Sequence, residues 1–309
     1  MMSFEKRVKV YGITIGVLIL LAVLGVWFSP SALIKGNIRQ PLLRFEAREV
    51  GRVEIGELII QRNNSVWEVQ YKGQSFPAMR DRMDGYLKLL QEATIDRVVR
   101  SGGDGAEFGI TAETKPIVVK TDRGVPLFEL YAGSGTPDGR RVYVRTKLDG
   151  PIYAVDRRVV SSTDRDLQSW VDNRVFLAIG SESQVMELEL TQKLSVGAND
   201  VGPYKVRRTA KDGQEVWLDQ LDRQIPDARS LVTRLVNMRA MSHALAEDWP
   251  KDFSEVARLR VRTEDNFWHE LIIGKRDNQN RWPCEILGRK LWLGDWNFQD
   301  LKPEPAPGS

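Results

Sequence analysis

Between Val10 and Ile34 the chain carries no charged residue over twenty-five positions, and its centre reads Ile15-Gly16-Val17-Leu18-Ile19-Leu20-Leu21-Ala22-Val23-Leu24-Gly25-Val26-Trp27-Phe28. One helix needs about 20 apolar residues to cross a bilayer, so the run predicts a single transmembrane helix over residues 10–34. Everything after Pro30 is then displayed from a membrane surface. Lys6, Arg7 and Lys9 make the tail 1–9 basic, which would also suit a cleaved signal peptide. The apolar run is too long for such a peptide's core, no lipobox cysteine follows it, and Pro30 is badly placed ahead of the small residue Ala32. Retention is therefore the better reading. Tyr11 and Trp27 fall where interfacial aromatic residues are expected.

Orientation rests on the short basic tail, because Lys35, Arg39 and Arg44 behind the helix equal the basic count ahead of it. A tail of that kind stays in the cytoplasm and places the bulk of the chain outside it. Gly12 and Gly16 form a G-x-x-x-G and are the candidate residues for packing against a second membrane helix.

Charge and cysteine usage narrow the function classes. The 45 Lys and Arg against 42 Asp and Glu leave a net charge of +3 with the signs mixed along the chain, which argues against nucleic acid as a partner. Cys284 is the only cysteine, so intrachain disulfides and cysteine-built metal sites are excluded. His243 and His269 are the only histidines and read as structural residues. Gly133-Ser134-Gly135 has no Lys-Ser/Thr and no helix behind it, so it is a hairpin turn and neither a phosphate loop nor a nucleophile elbow. No catalytic residue, cofactor or metal is assigned, and the chain is not read as an enzyme.

Residues 35–48 read as a tether. Ser65 to Tyr71 alternates as a half-buried strand, and Met79, Met83, Tyr86, Leu87 and Leu90 fall at helical spacing after Phe76-Pro77. Strand-like runs follow at Ile117 to Thr121, Leu127 to Tyr131, Val142 to Arg145 and Ile152 to Val155. The plan then recurs: Val216-Trp217-Leu218 answers Val66-Trp67-Glu68, Ile225-Pro226 answers Phe76-Pro77, and a helix through Ala228, Leu231, Val232, Leu235 and Val236 answers the first. Trp268 to Gly274 answers Leu127 to Gly133, and Leu291-Trp292-Leu293 answers Ile152-Tyr153-Ala154. The expected fold class is α+β: the transmembrane helix, then tandem strand-rich repeats over 49–160 and 181–301, each with one helix packed on its sheet. A helical connector over 161–180, from Leu167, Trp170, Val171 and Val175, joins them, and the proline-rich tail 302–309 reads as disordered.

Arg258, Arg260 and Arg262 alternate with Leu259 and Val261, which puts three guanidinium groups on one face of a strand. They are a candidate surface for an acidic partner or lipid headgroup, although pairing with neighbouring carboxylates accounts for them more simply. Trp249, Trp268, Trp282, Trp292 and Trp296 crowd the last part of the chain; burial accounts for most of them, and Trp282 or Trp296 is the one expected to be exposed.

At Phe108-Gly109-Ile110, the strand pair ending in Gly133, Thr136-Pro137-Asp138-Gly139 with Val142-Tyr143-Val144-Arg145, and Ile152-Tyr153-Ala154-Val155, the chain resembles a bacterial domain-of-unknown-function family, number 4340. The second repeat departs from it, with Asn278-Gln279-Asn280 in place of a Thr-Pro-Asp-Gly. The resemblance implies an N-terminal membrane helix with tandem units. It also implies components found beside gliding-motility-type ABC transporters, with a permease and ATPase as partners. The expectation is a single-pass protein of the bacterial inner (cytoplasmic) membrane, its bulk periplasmic, serving as a non-catalytic accessory or assembly subunit. An envelope glycan- or lipid-binding module is the alternative, and an unrecognised hydrolase the third reading.

Overall fold

The computed structural model describes residues 40–301 apart from 164, 197, 198, 212 and 300. The apolar segment 10–34 with Gly12 and Gly16, the basic tail 1–9 and the tail 302–309 lie outside the described residues. Among those described, no helix is long and apolar enough to cross a membrane.

Strands dominate. In chain order they begin with β1 (Gln40–Pro41), β2 (Val50–Ile55), β3 (Leu58–Asn63), β4 (Val66–Tyr71) and β5 (Gln74–Pro77), ahead of helix α1 (Arg80–Glu92). Next come β6 (Thr94–Arg100), β7 (Ile117–Thr121), β8 (Pro126–Gly135), β9 (Arg141–Arg145), β10 (Ile152–Asp156) and the single turn α2 (Arg158–Ser161). The later part holds β11 (Val185–Leu190), β12 (Leu194–Val196), β13 (Asn199–Val201), β14 (Tyr204–Lys211), β15 (Gln214–Leu218) and α3 (Ala228–Val236). It closes with β16 (Ser242–His243), β17 (Glu255–Thr263), β18 (Trp268–Gly274), β19 (Arg281–Ile286), β20 (Arg289–Gly294) and α4 (Trp296–Gln299).

The α+β expectation is thereby corrected to a mainly β fold. Among the described residues only α1, with 13 residues, and α3, with 9, exceed a short turn of helix. The expected connector helix over 161–180 is a three-residue 3-10 turn at Leu167–Ser169. Extended chain follows, bridging Val171 to Ala78 and Arg174 to Arg239. Trp170, Val171 and Val175 are buried because this segment is packed from more than one side, so their spacing mimics a helical stripe without being one. Leu42 and Leu43, read as tether, are buried as well, and the Leu42 amide donates to the Ala93 carbonyl at 2.8 Å.

The chain forms two compact units that interleave along the sequence. The first takes the described residues up to Ala47, Leu87–Pro116 and Phe128–Ser162. Its strand order is β1-β6-β10-β9-β8. Gly109 has φ +73, and a Cβ there would collide with Ser134. The Phe108-Gly109-Ile110 motif is thus a close backbone approach to the end of β8, and Ser134 is occupied in packing.

The second unit takes Arg48–Tyr86, Ile117–Leu127 and Thr163 onward, and contains two strand orders, β7-β2-β3-β4-β5 and β15-β14-β11-β17-β18-β19-β20-β16. The run β17-β11-β14-β15 matches β7-β2-β3-β4 element for element, as β16-β20-β19-β18 matches β6-β10-β9-β8. On α3 the residues Ala228, Leu231, Val232, Leu235 and Val236 are buried at helical spacing in one core with Leu188, Val206, Leu259, Leu271 and Leu293. Each such aliphatic side chain contributes roughly 1.5–3 kcal/mol on leaving water.

Candidate functional site

Strand β17 presents Ala257, Leu259 and Val261 to the core and Arg258, Arg260 and Arg262 to the other face. Arg258 pairs with Glu255 at 2.7 Å and Glu270 at 2.8 Å. Arg260 reaches Glu189 and Glu270, both at 3.0 Å, and Arg262 reaches Glu187 at 2.6 Å. On β14, Lys205 closes the row against Glu187 at 2.5 Å. The Arg260 guanidinium also lies 4.3 Å above the Trp268 ring. Burial pushes the Glu187 carboxyl up, but Lys205 and Arg262 outweigh it and hold the group below its ordinary range. Glu255 pushes Arg258 upward, outweighing the burial that acts against it. The arginine face is a lattice of opposite charges spread over four strands, and its cations are already neutralised. A smaller version stands on β2 and β7, where Glu54 receives Arg52 and Lys120, both at 2.7 Å.

The two tryptophan candidates for the surface part company. Trp282 is 4% exposed, and its indole Nε1 donates to Asp295 Oδ1 at 2.8 Å, with the ring edge-on to Phe298 at 5.5 Å. Its neighbours Arg281 and Pro283 take the opposite side of β19, in register with Gly294 and Trp292, so Trp282 and the arginine row lie on different faces of the sheet. That parity removes Trp282 as the exposed candidate. Trp296 is 59% exposed. Its ring lies over Gly294, where any Cβ would collide with it. The next residue, Asn297, anchors the turn by accepting from the Gly294 amide at 3.0 Å and donating to the Arg239 carbonyl at 2.9 Å.

Around Trp292 the rings alternate with cations. Arg281 lies 4.2 Å above Trp292, Lys290 lies 5.2 Å above Trp249, and Trp249 leans on Phe253 at 5.1 Å. Sequence reasoning recognised the tryptophans but not this stacking; its signal is the pairing of β19 with β20, which sets Pro283 against Trp292 and Glu285 against Lys290.

His243 and His269 sit in separate hydrogen-bonding environments. His243 Nε2 is 3.0 Å from the Asp172 carbonyl oxygen and its ring meets Phe76 edge-on at 5.4 Å. His269 Nε2 is 3.4 Å from Thr263 Oγ1. Burial pushes both imidazoles below their ordinary value. Among the described residues no three His, Cys, Asp or Glu side chains are grouped to hold a metal ion. A cleft of about 270 Å³ lies beside Tyr204, Lys205, Asp219 and Arg223, and another of about 230 Å³ beside Arg208, Glu215, Trp217 and Arg229. Their charged groups are spoken for: Asp219 pairs with Arg223 at 2.7 Å, Arg208 with Glu264 at 2.7 Å and Arg229 with Glu182 at 3.0 Å.

A family model described as a domain of unknown function, DUF4340, matches residues 67–253. The arginine row, Trp282 and Trp296 lie C-terminal to that stretch. No curated protein and no solved structure matches the chain.

Proposed function

We propose that this chain, which belongs to the DUF4340 family, is a non-catalytic accessory or assembly subunit of an ABC-type transport complex. In this reading residues 10–34 hold it at the bacterial inner membrane and its β units work on the extracytoplasmic side. The observation that carries the reading is Trp296, a 59% exposed indole set on Gly294 and fixed by the neighbouring Asn297 bonds. Large aromatic rings held at little conformational cost are the residues that dominate protein contacts. The charged sheet faces offer less, since their arginines and lysines are matched by Glu54, Glu187, Glu189, Glu255 and Glu270. The glycan- or lipid-binding alternative needs the arginines to converge with exposed tryptophans, and Trp282 does not join them.

The test is co-purification of the tagged full-length chain from its membrane in mild detergent, against Trp296→Ala. An ABC permease and ATPase are expected with the parent chain. A hot-spot tryptophan is worth about 2 kcal/mol or more, so the variant should recover them at least tenfold less well at limiting concentration while melting as the parent does. Equal recovery would remove Trp296 from the contact. Absence of an ATPase from both samples would overturn the assembly role.

A further inference from the structure

The hairpin of β14 and β15 changes character along one of its faces. Val206 is buried in the core that it shares with α3. Two residues on, Arg208 takes the same face of β14, in register with Trp217 on β15, and Glu215 joins Trp217 there by the alternation of a strand. The cleft of about 230 Å³ opens at this place. Its apolar lining is Trp217, with Ile225 beside it and Val232 from α3. The Ile225 amide donates to the Trp217 carbonyl at 2.9 Å, which fixes that part of the lining. All of these residues belong to one compact unit.

The polar lining is matched in charge but not saturated in hydrogen bonds. Arg208 and Arg229 face Glu182 and Glu215, two cations against two anions. Arg208, with 11% of its side chain exposed, pairs with Glu264 at 2.7 Å and stands 3.8 Å from Glu215. Arg229 reaches Glu182 through Nε at 3.0 Å, and its two terminal nitrogens have no partner among the described residues. Nor, among those residues, does the Glu215 carboxylate accept a hydrogen bond or the Gln224 side-chain amide make one.

A lining without net charge gives a phosphate or carboxylate no advantage. A neutral sugar uses all that it offers. The C–H face of the ring lies against an indole, and hydroxyls that both donate and accept meet guanidinium N–H groups, a carboxylate and an amide. We infer that the cleft between the β14–β15 hairpin and α3 binds a neutral sugar, with Trp217 as the platform and Glu215, Gln224 and Arg229 as its hydrogen-bond partners. The site falls within the stretch 67–253 matched by the family model. Trp296 takes no part in it, so the site stands apart from the partner contact proposed above.

The experiment is saturation-transfer NMR on the full-length chain in a detergent without a sugar headgroup, titrated with cellobiose and N,N′-diacetylchitobiose, and with galacturonic acid as the charged comparator. Transfer to the ring protons of at least one neutral disaccharide is expected, with weaker transfer to the uronate. Glu215→Ala and Arg229→Ala remove side chains that are 73% and 81% exposed, so both should melt as the parent does. Each deletes a charged hydrogen-bond partner, and the affinity for the sugar should fall about tenfold. Either variant decides the matter should the other fail to fold. No transfer above a protein-free detergent blank, equal affinity in parent and variant, or uronate bound as well as the neutral sugars would each overturn the inference.

Discussion

The imidazole of His243 approaches the backbone carbonyl of Asp172 at 3.0 Å, while the Asp172 carboxylate is turned to Arg174 at 2.7 Å. One residue thus serves β16 through its backbone and the extended connector through its side chain. The Phe76 ring, on β5, meets the imidazole edge-on.

Acid should loosen this junction. Burial pushes His243 below the ordinary 6.5 despite the Asp172 carbonyl, and Arg289 nearby acts in the same direction. The fold keeps the ring neutral whereas the unfolded chain protonates near 6.5, so below that pH the unfolded state binds more protons. Stability then falls as pH drops from about 6.5 toward the folded-state pKa of His243 and levels off beneath it. Melting temperature followed from pH 7.5 to 5 should show this decline, and His243→Gln should remove part of it. His269, which is shifted the same way, contributes to what is left.

Glu187 is the keystone of the charge lattice, with a side chain only 7% exposed between Lys205 and Arg262. Glu187→Gln leaves two cations facing each other across a partly buried site. Loss of one partner from a fully buried pair costs about 3–5 kcal/mol, and with Lys205 41% and Arg262 32% exposed the expected cost is nearer 1–3 kcal/mol. Urea denaturation measures it. A change under about 0.5 kcal/mol would mean that the lattice contributes little beyond solubility.

Two glycines should respond in opposite directions to alanine. A Cβ on Gly51 collides with the backbone of Asp122, whereas one on Gly85 meets nothing within 4 Å. Gly51→Ala is expected to destabilise by more than about 1 kcal/mol. Gly85→Ala, on an exposed position of α1, is expected to stabilise by about 0.5–1 kcal/mol. Thermal melts of the two variants decide it.

Trp282→Phe deletes one donor to Asp295, which among the described residues keeps Arg276. A hydrogen bond to a charged acceptor is worth roughly 1.5–3 kcal/mol, and the expected loss lies at the lower end because Asp295 is partly solvated. Trp296→Ala should shift stability by less than about 1 kcal/mol. If its stability cost proved the larger of the two, Trp296 would be a core residue and its place in a partner contact would lose its basis.

Period alone carried the sequence reading through elements with one wet face and one dry one. Met83, Tyr86, Leu87 and Leu90 are buried at helical spacing on α1, and Val69 with Trp67 marks the inner side of β4. It failed where that contrast is absent. β6 reads Thr94-Ile95-Asp96-Arg97-Val98-Val99-Arg100 with no fully buried position, and β14 mixes Arg207 and Arg208 into its middle. Neither announces a strand, and missing them tilted the expected class toward helix. Trp282 could not be separated from Trp296 in the sequence because face parity in β19 follows from its pairing with β18 and β20, which the string Arg281-Trp282-Pro283-Cys284 does not encode. The arginine row was visible as alternation, and pairing with carboxylates was its simpler reading, but the partners Glu187 and Glu189 were not identifiable, since they lie about seventy residues away in sequence and meet the row only across β11 and β17.

The interleaving of the compact units bears on how the protein is made. The unit that opens at Arg48 is interrupted by Leu87–Pro116 and Phe128–Ser162 and reaches beyond β20. During synthesis at about 5–20 residues per second, the first unit can close once Ser162 has emerged, while the second must wait for its last strands. A nascent chain therefore carries β2 to β5 for many seconds without β11 to β20, and this interval is when a chaperone has most to protect.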